Sequence, residues 1–429
     1  MRRLAIIYTV ILLLVPLAGH ALTLEEGLKI VVENGRDVAI ARSDEDAARA
    51  SVSLARSPWL PSVDLYGRET WLRYQPEAKT PFGAFPTSQD QFLTYGVKAT
   101  QILYDFGKTS SSVGAAEYGL KSREIEIDRV KNQAALDFIV AYLDLLESEK
   151  LLQVSKEEVQ QYEAHQKDTQ SRFAAGVVTK NEVLQAEVTL ADSRQRAVSA
   201  DNLRSLRESR INSLLLRPLN EQVKPEEISA SPSTGLTLEE AWASAEETSN
   251  RLKEIDQVIA AKEENIKSLR AEYMPTFYLS GGYEYSENKY LVHQDNWSAI
   301  AGVNVNLYSG GASNSRVGLA KAELRSLKLS RDKLLDGIRL EVKAAYLDLQ
   351  SSAQKMEVTQ AAVDQAVENL RLQRLRYREG VGTATDVLDA VTLLSTAETN
   401  SWKALYGMKR AEASLLNASG KDLVSMYGK

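Results

Sequence analysis

Proline is missing from the whole stretch between Pro86 and Pro218, and again from everything after Pro275. Inside a helix it removes a hydrogen bond and clashes with the preceding turn, at a cost of about 3 kcal/mol. Such deserts therefore permit very long helices. Residues 108–172 and 312–376 lie within them and are rich in Ala, Leu, Glu, Lys, Gln and Arg. At 1.5 Å per residue each spans roughly 98 Å. The segment 217–235, with Pro218, Pro225 and Pro232, reads as a linker.

The linker separates two copies of one unit. Leu22-Thr-Leu-Glu-Glu26 recurs as Leu236-Thr-Leu-Glu-Glu240, and Pro61-Ser-Val-Asp-Leu-Tyr-Gly67 answers Pro275-Thr-Phe-Tyr-Leu-Ser-Gly281 at the same offset. Ala141-Tyr-Leu-Asp-Leu145 returns as Ala345-Tyr-Leu-Asp-Leu349, and Gly176 as Gly380, at a shorter offset common to both. The first copy thus carries an insertion, assigned to a proline-bearing loop at 75–90. Repeat 1 covers 22–216 (helix 24–57, strands 62–74 and 91–104, long helix 108–172, helix 180–216). Repeat 2 covers 236–420 (helix 238–271, strands 276–287 and 297–308, long helix 312–376, helix 384–418), and 421–429 forms a tail. Thr23 with Glu26 and Thr237 with Glu240 open the copies as capping boxes. The opening and closing helices of each copy, roughly 51 and 55 Å long, together match one long helix stacked end to end.

Apolar residues recur every seven along 312–376: Leu335, Val342, Leu349, Met356, Val363, Leu370 and Tyr377, with Ile338, Ala345 and Ala366 beside them. The first copy supplies Phe138, Leu145, Leu152, Val159 and Phe173, with Gln166 as the exception. This period predicts left-handed coiled-coil packing. The strand segments alternate instead. Trp297, Ala299, Ala301, Val303, Val305 and Leu307 share one face, and Ser298, Gly302, Asn304 and Asn306 share the other with Ile300. In the first strand Glu69 falls on the face of Val63, Leu65 and Trp71. A soluble half-buried hairpin alternates in the same way as a membrane strand. Strand length and terminal aromatics favour a membrane barrel. Four strands cannot close one, since the smallest have eight, so several chains must share it.

Arg2 and Arg3, the apolar run from Leu4 to Leu17, and Gly19 and Ala21 read as a cleaved export signal over 1–21. An uncleaved anchor helix is the other reading, but the run falls short of the ~20 residues a span needs. With 52 Lys+Arg against 58 Asp+Glu the chain lacks the basic excess of a nucleic-acid surface. It has no Cys, hence no disulfide or N-terminal lipid anchor. Outside the leader it keeps only His165 and His293, too few for a His-based metal cluster. No phosphate loop or zinc motif is present, and no cofactor or catalytic residue is expected.

Together these features resemble the TolC-type outer-membrane efflux protein family over essentially the whole chain after residue 21. The most specific segments are Arg172-Phe-Ala-Ala-Gly-Val-Val-Thr179 and Arg376-Tyr-Arg-Glu-Gly-Val-Gly-Thr-Ala-Thr-Asp-Val-Leu-Asp-Ala390. The resemblance implies a mainly α fold with a β-barrel contribution. Duplicated helix–hairpin–helix–helix units would form a coiled-coil α-barrel, and four strands per chain a trimeric twelve-stranded outer-membrane barrel. It implies a passive homotrimeric duct in outer-membrane lipid with a large periplasmic portion. Its partners would be a periplasmic adaptor and an inner-membrane transporter; nucleic acid is not among them. A periplasmic adaptor with one coiled-coil hairpin is the alternative, although two full copies fit it poorly.

The resemblance also assigns residues. Asp386 and Asp389, with Glu182 and Tyr377, would form the pore constriction; three copies would stack carboxylate rings that favour cations. The other reading of Asp386 and Asp389 is a solvated first helical turn, and Tyr377 fits equally the end of the heptad seam. Arg172, Gly176, Val177, Thr179, Arg376, Gly380, Val381 and Thr383 would present the adaptor-binding tip, though helix–helix turns need the glycines for geometry alone. Some members carry an Arg where this chain has Gly382, so the closed end would be either weaker or held by other contacts, such as Arg378 or Lys180.

Overall fold

The computed structural model describes residues 22–228 and 235–428. The export signal expected at 1–21 and the middle of the linker lie outside these. Among the described residues the first copy runs α1 (Leu24–Asn34), α2 (Arg36–Arg56), β1 (Ser62–Trp71), β2 (Glu77–Thr80), β3 (Gly83–Pro86), β4 (Gln91–Tyr104), α3 (Lys108–Ala174) and α4 (Lys180–Leu214). The second runs α5 (Leu238–Thr248), α6 (Asn250–Ala271), β5 (Thr276–Ser286), β6 (Asp295–Asn304), α7 (Ala312–Arg378), α8 (Ala384–Ala418) and α9 (Leu423–Tyr427).

Several boundaries differ from the sequence reading. The opening helices expected at 24–57 and 238–271 are each broken, at Gly35 (φ −55°, ψ 142°) and at Ser249 (φ −54°, ψ 114°). The two breaks stand at matching positions of the two copies, so the interruption was duplicated with the unit. The first strand stops at Trp71 rather than 74, and the fourth runs 295–304 rather than 297–308. The loop at 75–90 contains a two-stranded hairpin, β2–β3, turning at Pro81-Phe82 with Gly83 at φ +131°. The tail holds α9, capped by Asp422, with Leu423 buried.

Two compact units result. One takes the described residues up to Val38, Lys131–Ala245 and the chain from Leu340; the other takes Ala39–Val130 and Glu246–Arg339. The second unit holds an antiparallel sheet in the order β1-β4-β5-β6. Directly paired residues share a face, and the register sorts them cleanly. Leu65, Val97, Tyr283 and Trp297 form one row, and Val63, Ala99, Gly281 and Ala299 the next. The opposite face carries Asp64, Lys98 and Ser298, then Ser62, Thr100 and Ser280. The apolar face has no cover within the chain, Leu65 being 80% and Trp297 78% exposed; on the polar face Thr94 and Ser280 of the inner strands are buried, while Asp64, Lys98 and Ser298 are exposed. On that polar face the Tyr66 hydroxyl donates to Glu284 across Gly96, 2.7 Å away. A Cβ at Gly96 would sit 2.9 Å from the Tyr66 oxygen. Glu69, the misplaced charge of β1, accepts a hydrogen bond from Gln91 at 2.6 Å.

In α7 the seven-residue seam is inward: Ile338, Val342, Ala366, Leu370 and Tyr377 are buried, and Leu335, Leu349, Met356 and Val363 half-buried. In α3 the expected seam holds through Val159, but Phe173 is exposed. The neighbouring line, Tyr162 and Thr169, is buried in its place. A straight helix drifts about 20° per heptad from a strict seven-residue repeat, which moves the seam sideways along the helix. A second apolar line on α7 has no cover within the chain: Leu329, Leu340, Leu347, Val358 and Leu372 are all exposed. Their spacing along the sequence returns each of them to one helix face. No described helix is long and apolar enough to cross a membrane.

Candidate functional site

The turns α3–α4 and α7–α8 are built by the same local chemistry. In the first, Gly176 (φ +74°) ends the helix; its N–H donates to Phe173 O and the Val177 N–H to Arg172 O, both at 2.9 Å. In the second, Gly380 (φ +74°) donates to Tyr377 O at 3.3 Å and Val381 to Arg376 O at 3.0 Å. Both are Schellman endings, in which a glycine in the left-handed region lets two N–H groups fold back onto the last turn. Thr179 and Thr383 then start the next helices with complete capping boxes. Glu182 and Asp386 accept from the threonine N–H groups at 3.2 and 2.9 Å, and the threonine hydroxyls accept from the acidic residues' N–H groups. Sequence reasoning missed these two boxes, although T-x-x-E and T-x-x-D carry the same spacing that marks Thr23 and Thr237.

The acids therefore divide. Asp386 is held below its ordinary carboxyl range by the Thr383 N–H, then by the Thr383 hydroxyl, with Arg376 contributing last. Glu182 has the matching place in the first turn. Asp389, one turn further into α8, is exposed. The pairing leaves Val177 and Val381 67% and 69% exposed, with side chains that serve neither turn. Gly382 closes on its own turn: its N–H also reaches Arg376 O, at 3.1 Å, and a Cβ there would lie 3.1 Å from Arg376 Cβ.

Tyr377 is a core residue. It is buried in one cluster with Tyr162, Leu190, Leu370, Val387 and Val391. Its ring lies 4.7 Å beneath the Arg172 guanidinium and 5.5 Å from the His165 ring. Arg172 is held by Asp168 at 3.1 Å. The Tyr377 hydroxyl is buried without a well-formed hydrogen bond, and burial raises its pKa. Arg376 is exposed and contributes its backbone carbonyl.

Beside Tyr377 the structure gathers residues that sequence reasoning did not join. Gln161, His165, Asp168, Arg374, Tyr377, Arg378 and Val387 line a cavity of about 280 Å³. The i, i+4 pairs Gln161/His165 and Arg374/Arg378 were its only sequence signal. No cluster of His, Cys, Asp or Glu suited to a metal occurs among the described residues.

The outer membrane efflux protein family matches residues 28–215 and 242–421, one segment in each copy. The chain is 22% identical to outer membrane efflux protein BepC of Brucella suis, over 95% of this chain and 87% of that one. It is 24% identical to the alkaline protease secretion protein AprF of Pseudomonas aeruginosa, over 97% and 88% respectively. In structure it is similar to the outer-membrane channel OprN, with a TM-score of 0.78 at 16% identity, covering 94% of this chain and 90% of that one. The double match, the near full-length coverage and the shared fold agree: the chain belongs to the outer membrane efflux protein family.

Proposed function

We infer that this protein is the passive outer-membrane exit duct of an efflux or type I secretion system. It acts as a homotrimer with a periplasmic adaptor and an inner-membrane transporter. The reading rests on a sheet with an uncovered apolar face and two open edges. Leu65, Val97 and Trp297 leave that face exposed, and β1 and β6 each leave one edge unpaired. An apolar face suits lipid, and an open edge does not survive there. Pairing β6 of one copy with β1 of the next satisfies both, and three copies give an even-numbered barrel of twelve strands. The uncovered apolar line on α7 supports the same assembly, since it needs a helix from another copy.

In the trimer, Asp386, Asp389 and Glu182 would surround the narrow end of the tunnel, with Tyr377 packed in the core behind them, and Val177 and Val381 would meet the adaptor. Asp389 is the most available carboxylate for permeating ions, because Glu182 and Asp386 are engaged by their own threonines. The duct needs no catalytic group; energy comes from the transporter. Relatives named for efflux and for protease secretion leave both kinds of cargo in range. The test is molecular mass in mild detergent together with conductance in planar bilayers. A trimer with small cation-selective steps supports the duct. A soluble, non-conducting species would reject it.

A further inference from the structure

The cavity beside Tyr377 is electrostatically unfinished, and its chemistry lies outside the duct reading. Arg374 and Arg378 stand one turn apart on α7, and like charges at this spacing repel. Neither has a carboxylate partner among the described residues: Arg374 donates to the neutral Gln161 side chain. The nearest acid on the lining, Asp168, is engaged by Arg172. Two further polar atoms are stranded in the same wall. His165 Nε2 is buried without a hydrogen-bond partner, and the Tyr377 hydroxyl has only a poorly formed contact with Thr169, in residues 7% and 6% exposed. Stranded groups of this kind are rare in folded proteins and point to something missing from the site.

We propose that the cavity binds one small oxyanion of the phosphate class per chain. The anion would bridge α3 and α7 through the guanidinium groups of Arg374 and Arg378, with His165 and Tyr377 as further donors. The donor set suits this chemistry. Arginines present several N–H groups to an anion's oxygens, and charge-assisted bonds are the strong ones. The volume suits it as well: at about 30 Å³ per water, the cavity holds an oxyanion with part of its hydration shell. The burial that leaves Arg374 short of proton affinity, together with the field of Arg378, is what such an anion relieves.

Isothermal titration of the purified full-length protein with inorganic phosphate, at fixed ionic strength in chloride, tests the site. Saturable binding of one phosphate per chain is expected. Arg374→Gln and the exposed-site variant Arg378→Gln should each weaken binding about tenfold or more, which is about 1.4 kcal/mol. Arg378 lies at the surface, so its variant keeps the test valid should Arg374→Gln fail to fold. Absence of saturable binding, or wild-type affinity in Arg378→Gln, overturns the proposal. The first of these results covers the case in which a neighbouring copy's carboxylate fills the cavity. All the lining residues belong to one chain, so the site does not need a second copy to supply its donors.

Discussion

The Arg172 guanidinium sits 4.7 Å above the Tyr377 ring, joining the last turn of α3 to the last turn of α7. One contact therefore ties the ends of the two long helices, one from each repeat, together beside the turns that face the proposed adaptor. Arg172 is largely covered and Tyr377 buried. A cation–π contact so shielded is worth about 1–2 kcal/mol. Arg172→Gln should lower stability to urea by about this amount and raise the frequency of large conductance steps in bilayers. Unchanged gating with full stability would show that the contact does not hold the tip.

Tyr377→Phe should behave differently. It keeps the ring and removes a buried hydroxyl that has no well-formed partner, so stability should stay within about 0.5 kcal/mol of wild type or rise. A clear loss in urea unfolding would mean that the hydroxyl is bonded in the assembled trimer.

Thr383→Ala removes one half of a capping box and should cost about 1 kcal/mol. Asp386→Asn keeps an acceptor for the Thr383 N–H but removes the charge that strengthens the bond. Because the folded carboxyl pKa is lowered, that contribution is present above the unfolded value of 3.8 and fades as pH falls through the lower folded value. Asp389→Asn should leave stability untouched and reduce cation preference in single-channel recordings, the effect being greater when Asp386 is also changed to Asn. Unaltered selectivity in the double variant would remove both residues from the pore.

His165 gives a second pH signal. Burial lowers its pKa, ahead of the opposing pull of Asp168 and the added push of Arg374. Its contribution to stability is whole above the unfolded value of 6.5 and is lost as pH falls from there toward the lowered folded value. In phosphate-free buffer, wild type should lose stability between about pH 7.5 and about pH 5 more steeply than His165→Gln. Parallel curves would assign the pH dependence elsewhere.

A charge at Val177 or Val381 should abolish export while the folded trimer persists, read by transport in cells and mass in detergent. Normal export by both Val177→Glu and Val381→Glu would move the adaptor surface off these turns.

The periodic parts of the chain are readable because periodicity is local. The α7 seam from Leu335 to Tyr377 is inward over its whole length, and the alternation of β6 matches its observed faces. Phe173 departs from the expected seam because small angular drift accumulates along a helix, and Tyr162 and Thr169 take over the buried line. The helix breaks at Gly35 and Ser249 are hard to read because each costs one residue within an otherwise helical pattern. The β2–β3 hairpin is hidden by strands too short to show a period, Glu77–Thr80 and Gly83–Pro86. The cavity is beyond reach for a different reason: His165 and Arg374 lie in different copies of the repeat, and only the packing of α3 against α7 brings them to one wall.

The unpaired edges of β1 and β6 also constrain the order of events when the duct is made. A lone chain cannot complete its own ladder, so the final folding step is a meeting of molecules and its rate rises with their concentration. Dilute refolding should stall at a species whose helices and inner strands are formed and whose outward amide protons on β1 and β6 exchange freely. In the proposed trimer, barrel closure and subunit recognition would be the same event, and a chain that arrived alone would have no finished barrel to occupy.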